Sequence, residues 1–252
     1  MDFRETINLA FLRHLLATAK GRAYVLNQVA EAENSGESEF FARTLSQVDD
    51  PAFQKMIRKH ESDEIRHAAI FTERLRAQGV DPGPVPDELK LIDRLDRMLG
   101  GFFERPIEGD RGVMEAYTLL QVVEERAVTQ FAIMERAFRE VDPATADVFV
   151  AVSKDEERHL KYCQAISRRY AVNEPQRLMT LARFRRVEAE AYRDNSMAGM
   201  KYALEKVVTP GVRTTGWRLF AALTKRSTTL PFTPFATLAS TQPSANEFAH
   251  AA

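Results

Sequence analysis

The sequence predicts an all-α protein. Apolar residues recur at helical spacing over long segments, and no segment alternates convincingly with the two-residue period of a strand. Eleven glycines and eleven prolines in 252 residues are too few for a β-sandwich or a low-complexity chain. Asp-Pro pairs at 50–51 and 142–143 are typical of an N-cap followed by proline in the first helical turn.

Breaks between the periodic segments set the predicted elements. The strongest break is the Gly/Pro-rich run 79–86, and Gly100-Gly101 and the stretch 108–112 are weaker ones. The predicted helices, in chain order, span 4–17, 20–47, 51–78, 87–103, 112–140, 143–171 and 175–206.

The last third differs in composition from the rest. From residue 171 to the end there are eleven basic against six acidic side chains, and the stretch after Thr228 has three prolines and little helical period. We therefore expect a helical domain over 1–206 and a basic, irregular extension over 207–252. The segment 216–226 joins apolar to basic residues; it either packs on its own domain or docks an acidic carrier protein, a membrane surface or nucleic acid.

Charge and cysteine content exclude several classes of protein. The net charge of −1 gives no general attraction to nucleic acid or membranes, and the single Cys163 excludes an internal disulfide framework and a cysteine-only metal site. The first residues lack the basic start of a signal peptide, and no run approaches the ~18 apolar residues of a membrane helix. We expect a cytoplasmic protein.

An internal repeat relates residues 24–67 to residues 117–159. Gln-Val-x-Glu occurs at 28–31 and 121–124, and Asp-Glu-x-Arg-His occurs at 63–67 and 155–159. Any two amphipathic hairpins look alike, but that likeness does not repeat a five-residue motif about 32 residues after Gln-Val-x-Glu. The repeat predicts two helical hairpins stacked as a four-helix bundle, with 80–111 as the long crossover.

Each hairpin offers one Glu on its first helix and a Glu-x-x-His on its second. Positions i and i+3 share a helix face, so each Glu and His of that motif project together. Four carboxylates inside an apolar bundle would be prohibitively costly without cations among them. Four carboxylates and two imidazoles suit two divalent first-row metals. The predicted metal ligands are Glu31, Glu64, His67, Glu124, Glu156 and His159.

Asp63 and Asp155 precede the motif glutamates, and Arg66 and Arg158 precede the histidines. A metal-bound imidazole needs its other N–H held, and an Asp from the opposite helix can hold it. Each Arg can then pair with that Asp. A surface salt bridge would explain any one of these residues, but their recurrence favours support of the metal ligands.

This pattern resembles the ferritin-like diiron oxygenases and oxidases, which include bacterial multicomponent monooxygenases, acyl-carrier-protein desaturases and arylamine oxygenases. The resemblance covers residues 20–171. It implies that the six ligands bind two iron ions, Fe/Fe or alternatively Mn/Fe, and that this centre activates dioxygen. Ferritins and rubrerythrins share the Glu and Glu-x-x-His scaffold. The chain departs from many monooxygenases at Val128, where those enzymes often carry Thr.

His60 breaks the symmetry of the repeat, because its counterpart is Val152. It lies one turn before Glu64 on the same face, as the extra histidine of arylamine oxygenases precedes a Glu-x-x-His. It is either a seventh ligand or a hydrogen-bond partner of a carboxylate outside the metal's coordination sphere.

The leading hypothesis is a non-haem diiron oxidoreductase that uses dioxygen to hydroxylate, desaturate or N-oxygenate an organic substrate. The chain has no cysteine cluster and no Gly-x-Gly-x-x-Gly, so electrons would come from a reductase or another external donor. A homodimer is compatible with this hypothesis. The alternatives are a ferritin- or rubrerythrin-like ferroxidase or peroxide scavenger, and a non-catalytic module with a structural metal.

An oxygenase also needs an apolar substrate cavity beside the metals. The side chains expected to line it are Ile57, Phe71, Val128, Phe131, Phe149 and Val152. A ferroxidase instead needs a polar path, which Asn27, Gln28, Asn34, Ser35 and Ser38 could offer.

Overall fold

The computed structural model describes residues 3–34 and 37–226 of the chain, and every regular element in these ranges is helical. This confirms the predicted all-α class. The α-helices are α1 (Phe3–Leu16), α2 (Ala19–Glu33), α3 (Glu37–Leu45), α4 (Pro51–Ala77), α5 (Leu91–Met98), α6 (Gly109–Arg139), α7 (Pro143–Arg169), α8 (Glu174–Tyr202) and α9 (Val212–Arg226). A 3-10 turn (Asp87–Leu89) precedes α5, and a π-turn (Ala203–Val207) ends α8.

The Asp-Pro pairs begin helices as predicted. Asp50 accepts hydrogen bonds from the backbone N–H of Ala52 and Phe53 at the start of α4. Asp142 accepts one from Thr145 N–H at the start of α7. In both helices proline occupies the first turn, where no backbone donor is needed.

Two predicted helices are shorter than expected. The helix predicted over 20–47 is wrong as one element, since α2 ends at Glu33 and α3 begins at Glu37. Asn34-Ser35-Gly36 combines three poor helix formers, which favours a break there. The helix predicted over 87–103 consists of the 3-10 turn and α5, and Gly100 and Gly101 follow with φ of 70° and 77°. Glycine adopts that conformation without steric cost.

The long helices pack side by side. α2 lies along α4, α6 lies along α7, and α8 lies along α6. Pairs between α4 and α7, such as Arg66 with Asp155 and Arg74 with Asp142, show that these two helices are antiparallel. Because α4, α6 and α7 all pass through the interior, side chains at the middle of each helix meet at one level.

Two apolar layers enclose that level. One contains Phe71 of α4, Phe131 of α6 and Phe149 of α7. The other contains Ile57 of α4, Leu120 of α6 and Tyr162 of α7, among others. The Asp-Glu-x-Arg-His motifs and Glu124 fall between these positions on their helices. The fold therefore places a polar layer between two apolar ones.

The chain after α8 packs back on its beginning. Trp217 of α9 meets the ring of Phe11 in α1 edge to face, with ring centroids 5.1 Å apart. The apolar side of the 216–226 segment thus contacts its own domain. The irregular stretch predicted from Thr228 onward lies outside the described residues. None of the helices in the described ranges is long and apolar enough to span a membrane.

Candidate metal centre

Seven buried or nearly buried side chains converge in the polar layer. They form two groups that share Glu64, and within each group one ligand atom per residue lies within 4.8 Å of the others. The first group is His60, Glu64, Glu124 and His159, and the second is Glu33, Glu64, His67 and Glu156. Such a buried cluster of carboxylates and imidazoles could hold a metal ion.

The first group joins α4, α6 and α7. His60 Nε2 lies 3.0 Å from Glu64 Oε1 and 3.1 Å from Glu124 Oε1. His159 Nδ1 lies 3.3 Å from the same oxygen of Glu64. The rings of His60 and His159 stack with centroids 3.8 Å apart. Two imidazoles and two carboxylates therefore face one small volume.

The second group joins α2, α4 and α7. His67 Nδ1 lies 3.1 Å from Glu156 Oε1 and 3.3 Å from Glu33 Oε2. Glu156 also places its other oxygen 3.4 Å from His159 Nδ1 of the first group. Glu64 and Glu156 thus lie between the two groups, where each could bridge two ions. This second position is richer in carboxylates than the first.

The inward atoms of the cluster are deeply buried, and although several lie 3.0–3.3 Å apart, their angles do not satisfy a hydrogen bond. They include Glu64 Oε1, Glu156 Oε1, His67 Nδ1, His159 Nδ1 and both ring nitrogens of His60. Buried polar atoms are nearly always paired in folded proteins. Electron-pair donors that point at one another without hydrogen bonds suit cations between them, which is the fit that a metal centre requires.

In the absence of metal ions, the pKa values of two carboxyls and two imidazoles of the cluster are raised. Burial raises the pKa of Glu33 and of Glu124 well above the usual range of a carboxyl. Burial lowers the pKa of His67, but the nearby Glu156 and Glu33 carboxylates more than offset this and raise it to about 10. Burial also lowers the pKa of His159, but the Glu156 and Glu64 carboxylates outweigh burial and raise that pKa to about 9. Metal ions would have to displace these protons.

Two aspartates support the imidazoles from behind, each from the opposite helix. Asp155 Oδ2 lies 3.3 Å from His67 Nε2, and Asp63 Oδ2 lies 3.4 Å from His159 Nε2. Each histidine therefore presents Nδ1 to the cluster and Nε2 to an aspartate. This arrangement fixes the tautomer and orientation of a metal-bound imidazole.

Two arginines complete this outer layer. Arg66 contacts both aspartates, donating to Asp63 at 3.0 Å and also pairing with Asp155. Arg158 does the same, with distances of 2.5 Å to Asp63 and 2.6 Å to Asp155. Burial opposes ionisation of Asp63, but hydrogen bonds from Lys59, Arg66 and His159 lower its pKa well below the ordinary value. All four residues predicted to support the ligands meet in one network.

The structure separates Glu31 from the other predicted ligands and brings in Glu33 instead. Glu31 pairs with Lys90 at 3.5 Å and belongs to neither group. The buried face of α2 runs through Leu26, Val29 and Ala30. Glu33 follows that face, whereas Glu31 follows the more polar face of Tyr24 and Gln28. The apolar periodicity was the signal that could have identified Glu33. The Gln-Val-x-Glu likeness indicated Glu31 instead, which lies outside the cluster.

Five of the six predicted ligands lie in the cluster with their ligand atoms facing one another: Glu64, His67, Glu124, Glu156 and His159. His60 joins them as the ring that faces Glu64 and Glu124. Its geometry matches the seventh-ligand interpretation more closely than a role outside the coordination sphere, since both of its partners are themselves cluster carboxylates.

A cavity of about 490 Å³ reaches the cluster. Glu33, Glu64, Glu124 and Glu156 form part of its wall, and none of the three cluster histidines does. The carboxylates therefore face the cavity while the imidazoles lie behind them. The other walls come from α1, α2, α6, α8 and residues 85–93 of the crossover.

Most of the side chains predicted to line a substrate cavity do not. Ile57, Phe71, Phe149 and Val152 are fully buried in the apolar layers, and Val128 is absent from the cavity wall. Phe131 is the exception. The prediction placed the cavity among α4, α6 and α7, whereas α1, α2 and α8 provide much of its wall. Of the predicted polar path, Gln28 and Asn34 line the same cavity. Ser35 and the side chain of Ser38 lie outside the described part of the chain.

No family model, curated protein or solved structure matches this chain. The functional inference therefore depends on the side chains themselves. Their arrangement combines a buried carboxylate and imidazole cluster that could hold a metal ion with aspartates and arginines behind the imidazoles. In front of the carboxylates is a cavity large enough for a small organic molecule.

Proposed function

We propose that this protein is a non-haem diiron oxidoreductase that uses dioxygen to oxidise an organic molecule held in the 490 Å³ cavity. The single observation that carries the proposal is that four cluster carboxylates form the inner wall of that cavity. A molecule in the cavity would lie directly against the metal ions. A purely structural metal site has no need of such access.

The proposal includes the fold around the site. α2, α4, α6 and α7 would form a ferritin-like four-helix bundle of two related hairpins, with α1, α5, α8 and α9 added around it. The antiparallel packing of α4 on α7 and the crossover between α4 and α6 support this interpretation.

Two iron ions fit the donor set. One would be held by His60, Glu124 and His159, the other by Glu33 and His67, with Glu64 and Glu156 shared between them. Carboxylate oxygens and imidazole nitrogens suit Fe²⁺, and a manganese ion at the carboxylate-rich position is also compatible. When bound, such a pair supplies the binding and reductive activation of dioxygen.

The chain's own residues then have defined tasks. Asp63 and Asp155 would hold the imidazoles in register, and Arg66 and Arg158 would balance the charge of those aspartates. The apolar residues of the cavity, such as Leu15, Val25 and Phe131, would exclude water and position the substrate. Electrons would come from an external donor or reductase.

A ferroxidase is the second candidate, and one observation favours it. Gln28, Glu31, Glu33 and Asn34 lie on the α2 side of the same cavity, where they would offer hydrated ferrous ions a polar path to the cluster. The apolar residues from α1, α6 and α8 on the other walls support the organic substrate instead.

Iron loading followed by oxygen exposure tests the proposal. The reduced protein is given ferrous ions anaerobically, then oxygen, over many equivalents of iron. The proposed enzyme should stop at about two irons per chain and, with a donor and a suitable substrate, yield an oxidised organic product. A ferroxidase would continue to accumulate ferric iron, and that result would contradict the proposal. The matched control is the Glu64→Ala/Glu156→Ala variant, which should bind little iron.

A further inference from the structure

The outer side of the α4–α7 pair carries a dense positive charge. On each helix, exposed cations recur at intervals of three, four or seven residues, which keeps them on one side of the helix. We call this surface the basic face. Its residues are Lys55, Lys59 and Arg66 of α4, and Lys154, Arg158, Lys161 and Arg168 of α7.

Contacts between the helices show that both rows of cations border one groove. Arg66 of α4 pairs with Asp155 of α7, and Arg158 of α7 pairs with Asp63 of α4 at 2.5 Å. Each arginine therefore reaches across to the opposite helix. The side chains of Arg66 and Arg158 remain 44% and 45% exposed, so a partner in the groove can contact both.

Acidic residues of α4 and α7 do not neutralise the basic face. The two aspartates that pair with these arginines stand against seven cations. Glu61 and Glu157 each lie two residues from one of those aspartates, so they project from the opposite side of their helices. Glu73 and Asp147 lie about two helical turns beyond the cations and bound the face at one end. The basic face therefore keeps an excess of positive charge.

The basic face lies directly behind the imidazoles of the cluster. Arg66 Nη2 is 3.2 Å from His67 Nε2, and Asp155 Oδ2 is 3.3 Å from the same nitrogen. His67 presents its other ring nitrogen, Nδ1, to Glu156 and Glu33. One imidazole therefore separates an exposed guanidinium from the cluster carboxylates. Because the rate of electron transfer falls steeply with distance, an electron donor bound here would be well placed to reduce metal ions in the cluster.

The cavity lies on a different side of the cluster. Its wall includes four cluster carboxylates but none of the three histidines, and no residue of the basic face. A partner bound to the basic face would leave the cavity free for a substrate. A nucleic acid or lipid that this protein oxidised would have to reach the cavity, so the position of the basic face favours an electron donor over a substrate.

We propose that the basic face binds a small acidic electron-carrier protein that supplies the metal centre with electrons. This inference rests on the proposed function, which creates the need for an external donor. In each encounter the carrier loses one electron and one ferric ion becomes ferrous, so two encounters reduce a diferric pair. No bond of this chain forms or breaks. Opposite charges on the two proteins speed the encounter and orient the carrier over the groove.

Binding of a plant-type [2Fe–2S] ferredoxin, an acidic one-electron carrier, tests the inference. Oxidised ferredoxin is added to the full-length chain, metal-free and iron-loaded, and its association rate and affinity are measured at several salt concentrations. Both should fall as salt screens the charges. Lys55→Glu/Lys161→Glu should lower the association rate constant about tenfold at low ionic strength. Neither lysine contacts the cluster or its aspartates, so metal binding should be unchanged.

The matched control is Arg186→Glu/Lys201→Glu, which changes the net charge equally at exposed positions of α8. This variant should bind ferredoxin nearly as the unmodified protein does. Failure of ferredoxin to bind, or an equal loss in both double variants, would overturn the inference. Phosphatidylglycerol vesicles and a single-stranded oligonucleotide are compared at the same salt concentrations. Tighter binding of either than of ferredoxin, lost in Lys55→Glu/Lys161→Glu, would show that the face serves a membrane or nucleic acid instead.

Electron transfer separates this inference from the proposed function. Reduced ferredoxin is mixed anaerobically with the iron-loaded protein, and its reoxidation is followed by absorbance. Lys55→Glu/Lys161→Glu should slow this reaction, while a dithionite titration should reduce the same amount of iron as in the unmodified protein. If ferredoxin reduces the iron through this face but no organic product forms with oxygen, the docking inference stands and the oxidase proposal fails. If products form with a chemical reductant but ferredoxin reacts equally with both double variants, the oxidase proposal stands and the docking inference fails.

Discussion

The two halves of the molecule carry the same motifs in different settings. In the second half, α6 continues for fifteen residues after Glu124, and α7 carries Val152 at the position of His60. In the first half, α2 ends at Glu33 itself, and α4 adds His60 to the cluster. Each half therefore supplies one Glu and one Glu-x-x-His, but only the first half supplies a third imidazole.

This difference makes the two side-chain groups of the cluster unequal. One has two imidazoles and two carboxylates, and the other has one imidazole and three carboxylates. The first lies beside the aromatic rings of Phe41 and Tyr162. Both groups reach the cavity wall, the first through Glu124 and the second through Glu33. A repeated motif can thus yield two ligand groups of different composition when one residue is added and one helix is shortened.

The largest effect on metal affinity should come from replacing Glu33 of α2, rather than Glu31, by glutamine. Glu33→Gln removes a ligand of the carboxylate-rich position, so we expect metal affinity there to fall on the order of 100-fold or more. Glu31→Gln, the matched control, breaks only the exposed pair with Lys90 and should bind metal normally. Elemental analysis and metal titration measure both. Loss of metal from Glu31→Gln with none from Glu33→Gln would contradict the assignment.

The variant His60→Val gives the first half the residue that the second half has at the equivalent position, Val152. Because His60 contacts Glu64 and Glu124, this variant should lower affinity at the imidazole-rich position roughly 10–100-fold. Affinity at the other position should change little. Titration with Co²⁺, followed by its absorption spectrum, resolves the two positions. The reciprocal Val152→His variant is the control, and equal loss at both positions would show that they are not distinct.

The two aspartates behind the imidazoles should differ in how much they contribute to metal binding, because they differ in burial and contacts. Asp63 is almost fully buried and contacts Lys59, Arg66, Arg158 and His159, while the Asp155 side chain is 18% exposed. Asp63→Asn should therefore weaken metal binding about tenfold, and Asp155→Asn by less. Metal titration compares the two variants. If neither variant binds metal more weakly, these residues form only a structural salt-bridge network.

The smallest expected effect comes from removing the aspartates that cap α4 and α7, and it is an effect on the free energy of unfolding. Asp50 accepts hydrogen bonds from backbone N–H groups of α4, whereas Asp142 also accepts them from Arg74 of α4 and from Gln78, which directly follows that helix. We expect Asp142→Ala to lower the free energy of unfolding by about 2 kcal/mol and Asp50→Ala by about 1 kcal/mol. Urea denaturation measures both, and an equal or reversed order would show that the contacts to α4 add nothing.

The cost of Asp142→Ala should also depend on pH. Burial opposes ionisation of Asp142, but Thr145 and Arg74 lower its pKa below the ordinary value. A lowered pKa in the folded state stabilises the protein above the unfolded pKa of about 3.9, and this stabilisation is lost as the pH falls through the folded value. The difference between Asp142→Ala and the unmodified protein should therefore shrink below about pH 4.

Sequence alone identified five of the seven side chains of the cluster as candidate ligands, but not all of the geometry around them. The Asp-Glu-x-Arg-His motifs fix their own register, because i and i+3 on one helix must face together, and the structure brings both motifs into one cluster. Glu33 was missed because a local likeness outweighed the buried face of α2. The cavity was misplaced because its walls depend on how α1 and α8 pack, and no periodicity reports which helices become neighbours.

The most direct test of the metal centre is anomalous X-ray diffraction from crystals loaded with Fe²⁺. The account predicts two peaks per chain, one among His60, Glu124 and His159 and the other between Glu33 and His67, with Glu64 shared by both. The absence of peaks, a single peak, or an iron bound by Glu31 would contradict it.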